Sequence, residues 1–83
     1  MIITPNELND RKGEFTVVDV RSEKQINEFP MDGLETITSN GGSIPNMKGS
    51  KVLVCQFGIV TEGMIIQNEL VDTFSLLGGA QAW

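Results

Sequence analysis

Two short, nearly continuous apolar runs constrain the fold of this chain more than any other feature. They occupy residues 15–20 and 51–55, and both are rich in β-branched side chains. Runs of this length are typical of strands and are too short for buried helices. A strand covered on both faces does not need to alternate apolar and polar residues, and such strands occur in parallel sheets. The sequence therefore predicts an α/β protein with a mostly parallel central sheet.

Shorter segments around these runs complete the predicted architecture. Further strands are predicted at residues 1–3, 34–38 and 73–77, which makes about five short strands in all. Helices are predicted at residues 4–13, 23–28 and 61–71, with Thr4 and Ser22 as caps of the first two. Residues 39–50, which are rich in glycine and polar side chains, are predicted to form a loop.

The composition excludes several kinds of active site. The chain has 83 residues, one cysteine and no histidine. This length suits a single domain, residues 1–83, with one core. A lone cysteine forms neither an internal disulfide nor a thiolate metal cage, and the absence of histidine removes Ser-His-Asp triads, Cys-His dyads and most zinc sites. We therefore expect no metal and no cofactor, and Cys55 is the strongest candidate for a reactive group.

Charge and hydropathy narrow the expected partners. The net charge is −5, and the six basic residues are scattered along the chain. Because nucleic-acid binding needs clustered Lys and Arg, we expect no nucleic-acid partner. No apolar run approaches the roughly 20 residues of a membrane span, so we expect no membrane partner either. An unpaired cysteine suits a reducing compartment, and we expect a cytoplasmic protein.

Cys55 stands at the predicted carboxyl end of a central strand, where open α/β sheets bind their ligands. The loop after it consists of five residues, Gln56, Phe57, Gly58, Ile59 and Val60. Gly58 permits a positive φ or a close backbone approach. The amides of this loop and of the next helix start can then form an anion cradle, which stabilises a thiolate without histidine. The alternative is a plain core residue, since free cysteine is among the most buried residue types.

Three motifs, in this order, resemble the motifs of rhodanese domains and together span nearly the whole chain. They are Asp19-Val20-Arg21, Cys55-Gln56-Phe57-Gly58-Ile59-Val60-Thr61 and Leu76-Leu77-Gly78-Gly79-Ala80-Gln81-Ala82-Trp83. The first resembles the family's strand-end motif, the second its active-site loop, and the third its closing Gly-Gly segment. The resemblance implies a sulfurtransferase with a compact three-layer fold, in which helices flank a central, mostly parallel sheet of about five short strands.

The same resemblance implies roles for the site residues. In the family, the loop cysteine attacks a sulfane-sulfur donor, becomes a persulfide and passes the terminal sulfur to an acceptor. Carried over, Cys55 is the nucleophile, and the amides from Gln56 to Thr61 hold the transferred sulfur. The Thr61 hydroxyl lies at the helix start as a cap or weak donor. Asp19 and Arg21 brace the loop from the neighbouring strand end.

The chain departs from the family pattern at places that bear on the substrate. Val60 stands where the family usually has arginine, so the loop lacks the cation that would bind an anionic donor. This argues against thiosulfate:cyanide activity. The family's glycine-histidine segment before the third strand retains only Gly33. No arginine follows Cys55, and phosphoryl transfer needs charge stabilisation that this loop lacks, which sets aside the phosphatase branch of the fold.

Two functions stay open at this point. Rhodanese modules fused to E1-like adenylyltransferases work without this arginine and take sulfur from a protein persulfide. That resemblance implies a protein partner, either a cysteine desulfurase or a ubiquitin-like sulfur carrier. The apolar loop edge formed by Phe57, Ile59 and Val60 suits such a partner. The alternative is a catalytically inactive rhodanese-fold interaction or regulatory module.

Overall fold

A five-stranded sheet forms the centre of the computed structural model, which describes residues 1–39 and 48–83. The strands are β1 (Ile2–Ile3), β2 (Thr16–Asp19), β3 (Ile37–Thr38), β4 (Lys51–Val54) and β5 (Thr73–Leu76). The helices are α1 (Pro5–Arg11), α2 (Glu23–Glu28), α3 (Ile59–Gln67) and α4 (Gly79–Ala82), and Lys12–Glu14 form a 3-10 turn. None of the helices in the described residues has the length and apolar character needed to cross a membrane. The predicted loop at residues 39–50 lies largely outside the described residues.

β4 lies in the middle of the sheet, whose strand order is β1-β5-β4-β2-β3. Each of the four pairings between these strands is parallel. β4 pairs with β2 residue for residue, from Lys51 opposite Thr16 to Val54 opposite Asp19. The carboxyl ends of the two strands therefore meet at the same edge of the sheet. This topology confirms the predicted α/β class and the central parallel sheet.

Neighbouring side chains of β4 pack into two cores on opposite faces of the sheet. Val52 and Val54 belong to the larger core, which includes Leu8 of α1. Leu53 belongs to the smaller core, which includes Ile65 of α3. All three β4 side chains are fully buried, which explains why this run lacks polar alternation. Helices cover both faces of the sheet, and the predicted three-layer arrangement is confirmed.

Capping boxes begin the first two helices at the predicted residues. The Thr4 hydroxyl accepts a hydrogen bond from the Glu7 amide at 3.2 Å, and the Glu7 carboxylate accepts one from the Thr4 amide at 3.3 Å. Ser22 and Gln25 repeat this arrangement at the start of α2. Such reciprocal caps satisfy amides that have no partner within the helix. The end of α1 differs from the prediction, because the helix stops before Gly13, which lies within the 3-10 turn.

α3 begins at Ile59, earlier than the predicted start at Thr61. The residue before it, Gly58, adopts a left-handed conformation with a φ of 87° and serves as the N-cap. That conformation turns the chain sharply enough for the helix to start only four residues after Cys55. The loop between β4 and α3 is therefore shorter than the sequence predicts.

The other end of α3 is also earlier than predicted, at Gln67 instead of about Val71. The Leu70 amide donates to the Ile65 carbonyl at 3.1 Å, as in the Schellman motif that ends many helices. Glycine usually occupies the left-handed position of this motif, but here Glu69 occupies it, with a φ of 49°. Because the usual glycine is absent, the sequence carries no visible stop signal at this point.

Candidate active site

Cys55 follows β4 directly at the carboxyl edge of the sheet, and it is buried. Three residues, Gln56, Phe57 and Gly58, connect it to α3, and we call them the β4–α3 loop. The short loop holds the cysteine beside the N-terminus of α3. The unpaired amides and the dipole at a helix N-terminus favour negative charge, so the fold brings the thiol to a place that suits an anion.

Two glycines allow this loop and the start of α4 to pack backbone against backbone. A Cβ on Gly58 would lie 2.7 Å from the carbonyl oxygen of Leu76. Gly79 has a φ of 63°, and a Cβ there would overlap the carbonyl oxygen of Cys55. Because Gly79 has no side chain, the Ala80 amide reaches that same oxygen and donates to it at 2.8 Å. The start of α4 therefore holds the loop that carries the cysteine.

Hydrogen-bond donors surround the Cys55 sulfur. The Gly58 amide donates to Sγ at 3.1 Å, and the Thr61 hydroxyl oxygen lies 3.4 Å from Sγ. Burial by itself raises the pKa of the thiol. Hydrogen bonds from the Thr61 hydroxyl and from the amides of Thr61, Gly58 and Val60 outweigh it, so the pKa falls below its ordinary value of 9.0. The site therefore favours a thiolate with no histidine nearby.

A buried ion pair supports the loop from the end of β2. The Arg21 guanidinium donates to the two oxygens of the Asp19 carboxylate at 2.9 and 2.8 Å, and each side chain is only 1% exposed. The remaining guanidinium nitrogen, Nη1, donates to the backbone carbonyl of Gln25 and to the side-chain oxygen of Gln56, each at 3.2 Å. Arg21 thus joins the end of β2, α2 and the β4–α3 loop.

The thiol borders a cavity of about 420 Å³. The cavity is lined by apolar side chains from Val20, Phe57, Ile59 and Val60 and by Arg21, Gln25, Gln56 and Cys55. Among the described residues that line it, Arg21 is the one cation, and its charge is paired with Asp19. The cavity therefore provides an apolar surface rather than a free positive charge. Within residues 1–39 and 48–83, no group of three or more His, Cys, Asp or Glu residues could hold a metal ion.

Solved structures share this fold over nearly the whole chain. A rhodanese-related protein from Thermoplasma volcanium has a TM-score of 0.79 at 16% identity, covering 99% of this chain and 88% of that chain. A rhodanese-like domain protein from Staphylococcus aureus has a TM-score of 0.71 at 23% identity, covering 100% of this chain and 91% of that chain. A protein from Staphylococcus saprophyticus has a TM-score of 0.69 at 22% identity, covering 96% of this chain and 89% of that chain.

The chain has a rhodanese-like fold. The sequence itself matches no protein-family model and no curated protein. At identities below 25%, the likeness to the solved structures concerns the fold, and any chemistry must be argued from the geometry of the site.

Within this rhodanese-like fold, the site residues predicted from the sequence occupy two zones. One zone surrounds the sulfur with the amides of Gly58, Val60 and Thr61 and the Thr61 hydroxyl. The other zone surrounds the first. In it, the side chains of Asp19, Arg21 and Gln56 form a polar network. The exposed side chains of Phe57, Ile59 and Val60 line the cavity. The amides that contact the Cys55 sulfur itself are therefore those of Gly58, Val60 and Thr61, and the role of the amides from Gln56 to Thr61 in holding a transferred sulfur stays a prediction.

Three further residues belong to the site, although the sequence reasoning did not select them. Ser75, in β5, has its hydroxyl oxygen 2.6 Å from that of Thr61. A hydroxyl between two large apolar residues, Phe74 and Leu76, was the available signal for this residue. Gly79 leaves room for the Cys55 carbonyl because it has no side chain, and in the sequence it appears only as a member of the closing Gly-Gly motif. Gln25 contacts Arg21 through its backbone carbonyl, which no side-chain pattern reveals.

Proposed function

We propose that this protein carries sulfur as a persulfide on Cys55 and exchanges it with a protein partner. The observation that carries the proposal is the set of donors around the sulfur, above all the Gly58 amide at 3.1 Å and the Thr61 hydroxyl at 3.4 Å. These donors stabilise a negatively charged sulfur in a buried position, which both a thiolate and a persulfide anion require. Solved neighbours described as rhodanese-related and rhodanese-like share the fold that carries this site.

Sulfur loading is a displacement at sulfur. The Cys55 thiolate attacks the terminal sulfur of a donor persulfide, and a new S–S bond forms on Cys55 as the old one breaks with its electron pair on the donor thiolate. In unloading, an acceptor nucleophile attacks the terminal sulfur, and Cys55 departs as the thiolate. The low pKa of this thiol favours it as a leaving group. Neither step consumes an oxidant or a reductant, because each exchanges one thiolate for another nucleophile at the same sulfur.

The surroundings of the thiol favour a protein donor over thiosulfate. A small dianion would need a cation beside the sulfur, but the cavity has Val60 where the family usually has arginine, and Arg21 is committed to Asp19. Desolvating an anion without a partner is costly. Phe57, Ile59 and Val60 are 60%, 75% and 64% exposed around the cavity. A protein partner can cover these apolar side chains while it presents its own persulfide to Cys55.

Loading from a protein persulfide tests this proposal directly. We expect incubation with a cysteine desulfurase and free cysteine to add the mass of one sulfur atom to the intact protein, and thiosulfate at the same concentration to add far less. The control is Cys55→Ser, which removes the one cysteine of the chain and so leaves no competing thiol. It should keep the circular dichroism spectrum of the unaltered protein and gain no sulfur.

Failure of the unaltered protein to gain sulfur from any persulfide donor would contradict the proposal. It would favour the alternative function, an inactive interaction or regulatory module, to which the missing loop arginine also points.

The partner and setting form a finer part of the proposal. We place the protein in the cytoplasm beside an E1-like adenylyltransferase, with a ubiquitin-like sulfur carrier as the acceptor of the Cys55 sulfur. Modules associated with those enzymes resemble this chain in lacking the loop arginine, and a reducing compartment suits the unpaired cysteine. With this acceptor the persulfide is itself the nucleophile: it attacks the adenylated carboxyl of the carrier and releases AMP, and an added thiol then cleaves the resulting acyl disulfide to leave a thiocarboxylate on the carrier. Formation of that thiocarboxylate in the presence of a thiol reductant, detected by mass after activation by the adenylyltransferase, tests this part. Its absence in the presence of loaded protein would contradict it.

A further inference from the structure

Two buried hydroxyl groups connect the Cys55 sulfur to a backbone carbonyl. Thr61 Oγ1 lies 3.4 Å from Sγ of Cys55, and Ser75 Oγ lies 2.6 Å from Thr61 Oγ1. At the far end, the Ser75 hydroxyl is within hydrogen-bond distance of the Gly58 carbonyl oxygen, at 3.1 Å. Thr61 is 0% exposed and Ser75 is 1% exposed, so bulk water does not reach either hydroxyl. We call these two groups the hydroxyl relay.

Proton counting sets the direction of the relay when Cys55 is a thiol. Each hydroxyl has one proton to donate. Both hydroxyls are within reach of the Gly58 carbonyl, and Ser75 is the better placed donor, because its hydroxyl oxygen lies 3.1 Å from the carbonyl oxygen whereas that of Thr61 lies 3.5 Å from it. We therefore assign the Ser75 proton to the Gly58 carbonyl in this state. The 2.6 Å contact between the hydroxyls then uses the Thr61 proton, and the Thr61 oxygen accepts from the thiol S–H. All three protons point away from the sulfur.

Loss of the thiol proton changes what the relay must supply. The thiolate needs a donor, and Thr61 is the hydroxyl within reach. If Thr61 turned its proton to the sulfur while Ser75 still donated to Gly58, two hydroxyl oxygens would face each other at 2.6 Å with no proton between them. That arrangement is repulsive. The Ser75 proton must therefore turn to the Thr61 oxygen at the same time.

We propose that the hydroxyl relay reverses its direction when Cys55 loses its proton, and that Ser75 is thereby a positioning residue for the thiolate. Ser75 acts through Thr61, which it orients as a donor to the sulfur. Hydrogen bonds in a chain polarise one another, so the donation from Ser75 also makes the Thr61 hydroxyl a stronger donor. This inference deepens the proposed function and rests on it for its use in sulfur transfer.

Few charged groups on the described elements around the relay could also respond to the charge on the Cys55 sulfur. The Asp19–Arg21 pair at the end of β2 is neutral as a unit. α3 carries Glu62 as its one titratable residue, exposed in the first turn, and Lys51 lies at the opposite end of β4 from Cys55. β5 and α4 carry no titratable side chain. The orientation of buried hydroxyls is therefore the main local response to the charge on the sulfur.

The substitution Ser75→Ala removes the donor to Thr61, and we expect it to raise the pKa of Cys55. A neutral hydrogen bond that stabilises the thiolate more than the thiol changes the ionisation constant of Cys55 by about threefold to tenfold. The midpoint of the iodoacetamide alkylation rate against pH should therefore rise by about half to one pH unit. Ser75→Thr keeps a hydroxyl at this position and should return the midpoint towards that of the unaltered protein.

The matched control is Thr73→Val. Thr73 precedes Ser75 by two residues on the same strand, is 0% exposed, and donates to the Val71 carbonyl at 2.7 Å, away from the relay. The Thr73→Val variant also removes a buried hydroxyl, but it should leave the alkylation midpoint of Cys55 unchanged. An unchanged midpoint in Ser75→Ala, or an equal shift in Thr73→Val, would overturn the proposal.

A measurement on the unaltered protein covers the case in which Ser75→Ala does not fold. By nuclear magnetic resonance, the Ser75 hydroxyl proton should show its strongest Overhauser contact with Gly58 below the midpoint and with Thr61 above it. The same contacts on both sides of the midpoint would overturn the reversal. None of these readouts needs a sulfur donor, so failure of persulfide loading and failure of the relay are distinguishable.

Discussion

At the scale of single residues, opposing effects set the state of the Cys55 thiol. Burial raises its pKa, and the hydrogen bonds from Thr61, Gly58 and Val60 lower it by more. A shift of one pKa unit corresponds to about 1.4 kcal/mol, so a few directed hydrogen bonds are enough to decide the balance.

The pH dependence of thiol reactivity should reveal this balance. We expect the alkylation rate of the folded protein to rise with pH through a midpoint below 9.0, and below the midpoint of the same protein unfolded in urea. Because the pKa is lower in the folded state, the unfolded state binds more protons between the two midpoints. The free energy of unfolding should therefore rise with pH across that window.

Cys55→Ser isolates this contribution to stability, because it has no thiol to titrate. The pH-dependent part of the difference in unfolding free energy between the unaltered protein and this variant should be largest above the unfolded midpoint, and the difference should fall to a constant value as the pH falls through the folded one. A folded midpoint equal to or above the unfolded one would contradict a donor cradle around the sulfur.

At the scale of secondary-structure elements, α4 contributes more to the site than its four residues suggest. Its first amides donate to carbonyl groups of the β4–α3 loop, from Ala80 to Cys55 at 2.8 Å and from Gln81 to Gln56 at 3.0 Å. These contacts depend on Gly79, which leaves room for the Cys55 carbonyl. The helix start thus fixes the backbone from which the cysteine side chain projects.

Gly79→Ala should therefore disturb both stability and reactivity. The left-handed conformation costs an alanine about 1–2 kcal/mol, and the overlap of the new Cβ with the Cys55 carbonyl adds to this loss. We expect urea unfolding to show a loss of free energy above about 2 kcal/mol, and the alkylation midpoint of Cys55 to rise as the loop moves.

The comparison variant for this prediction is Gly63→Ala. A Cβ on Gly63 meets nothing within 4 Å, and this residue lies inside α3, where alanine is preferred over glycine by about 0.5–1 kcal/mol. It should stabilise the protein and leave the midpoint unchanged. Equal stability of Gly79→Ala and the unaltered protein would show that α4 does not hold the loop.

At the scale of the whole molecule, parallel pairing of β2 and β4 brings distant residues to one edge of the sheet. Asp19 and Val54 are partners in this register, so Arg21 and Cys55 follow the ends of neighbouring strands. The Asp19–Arg21 pair is buried there and linked to α2 and to the β4–α3 loop. It therefore fixes the position of the loop relative to the sheet.

Arg21→Met should destabilise the whole protein. It leaves the Asp19 carboxylate buried without its partner, and breaking a buried pair in this way typically costs about 3–5 kcal/mol. We expect urea unfolding to show this loss. Arg11→Gln is the control, because the Arg11–Glu14 pair is exposed and such pairs contribute at most about 1 kcal/mol. Similar losses in the two variants would contradict a structural role for the buried pair.

The parts of the fold that could be predicted depend on local patterns. Nearly continuous apolar runs indicated β2 and β4, and the capping residues Thr4 and Ser22 indicated the starts of two helices. The end of α3 could not be predicted, because Glu69 adopts the left-handed conformation that glycine usually adopts at the end of a helix. Backbone strain of this kind is stabilised by the packing of Leu70 against the smaller core, which no local pattern reports.

The sequence by itself determined that one cysteine, with no histidine to assist it, would lie at the end of a central parallel strand. Apolar periodicity and composition are local properties, and they were sufficient for that conclusion. Only the tertiary structure decided which groups face the sulfur. Ser75 and Gly79 reach the site from β5 and α4 through parallel pairing and close backbone packing, and such contacts depend on distances between segments that are far apart in the chain.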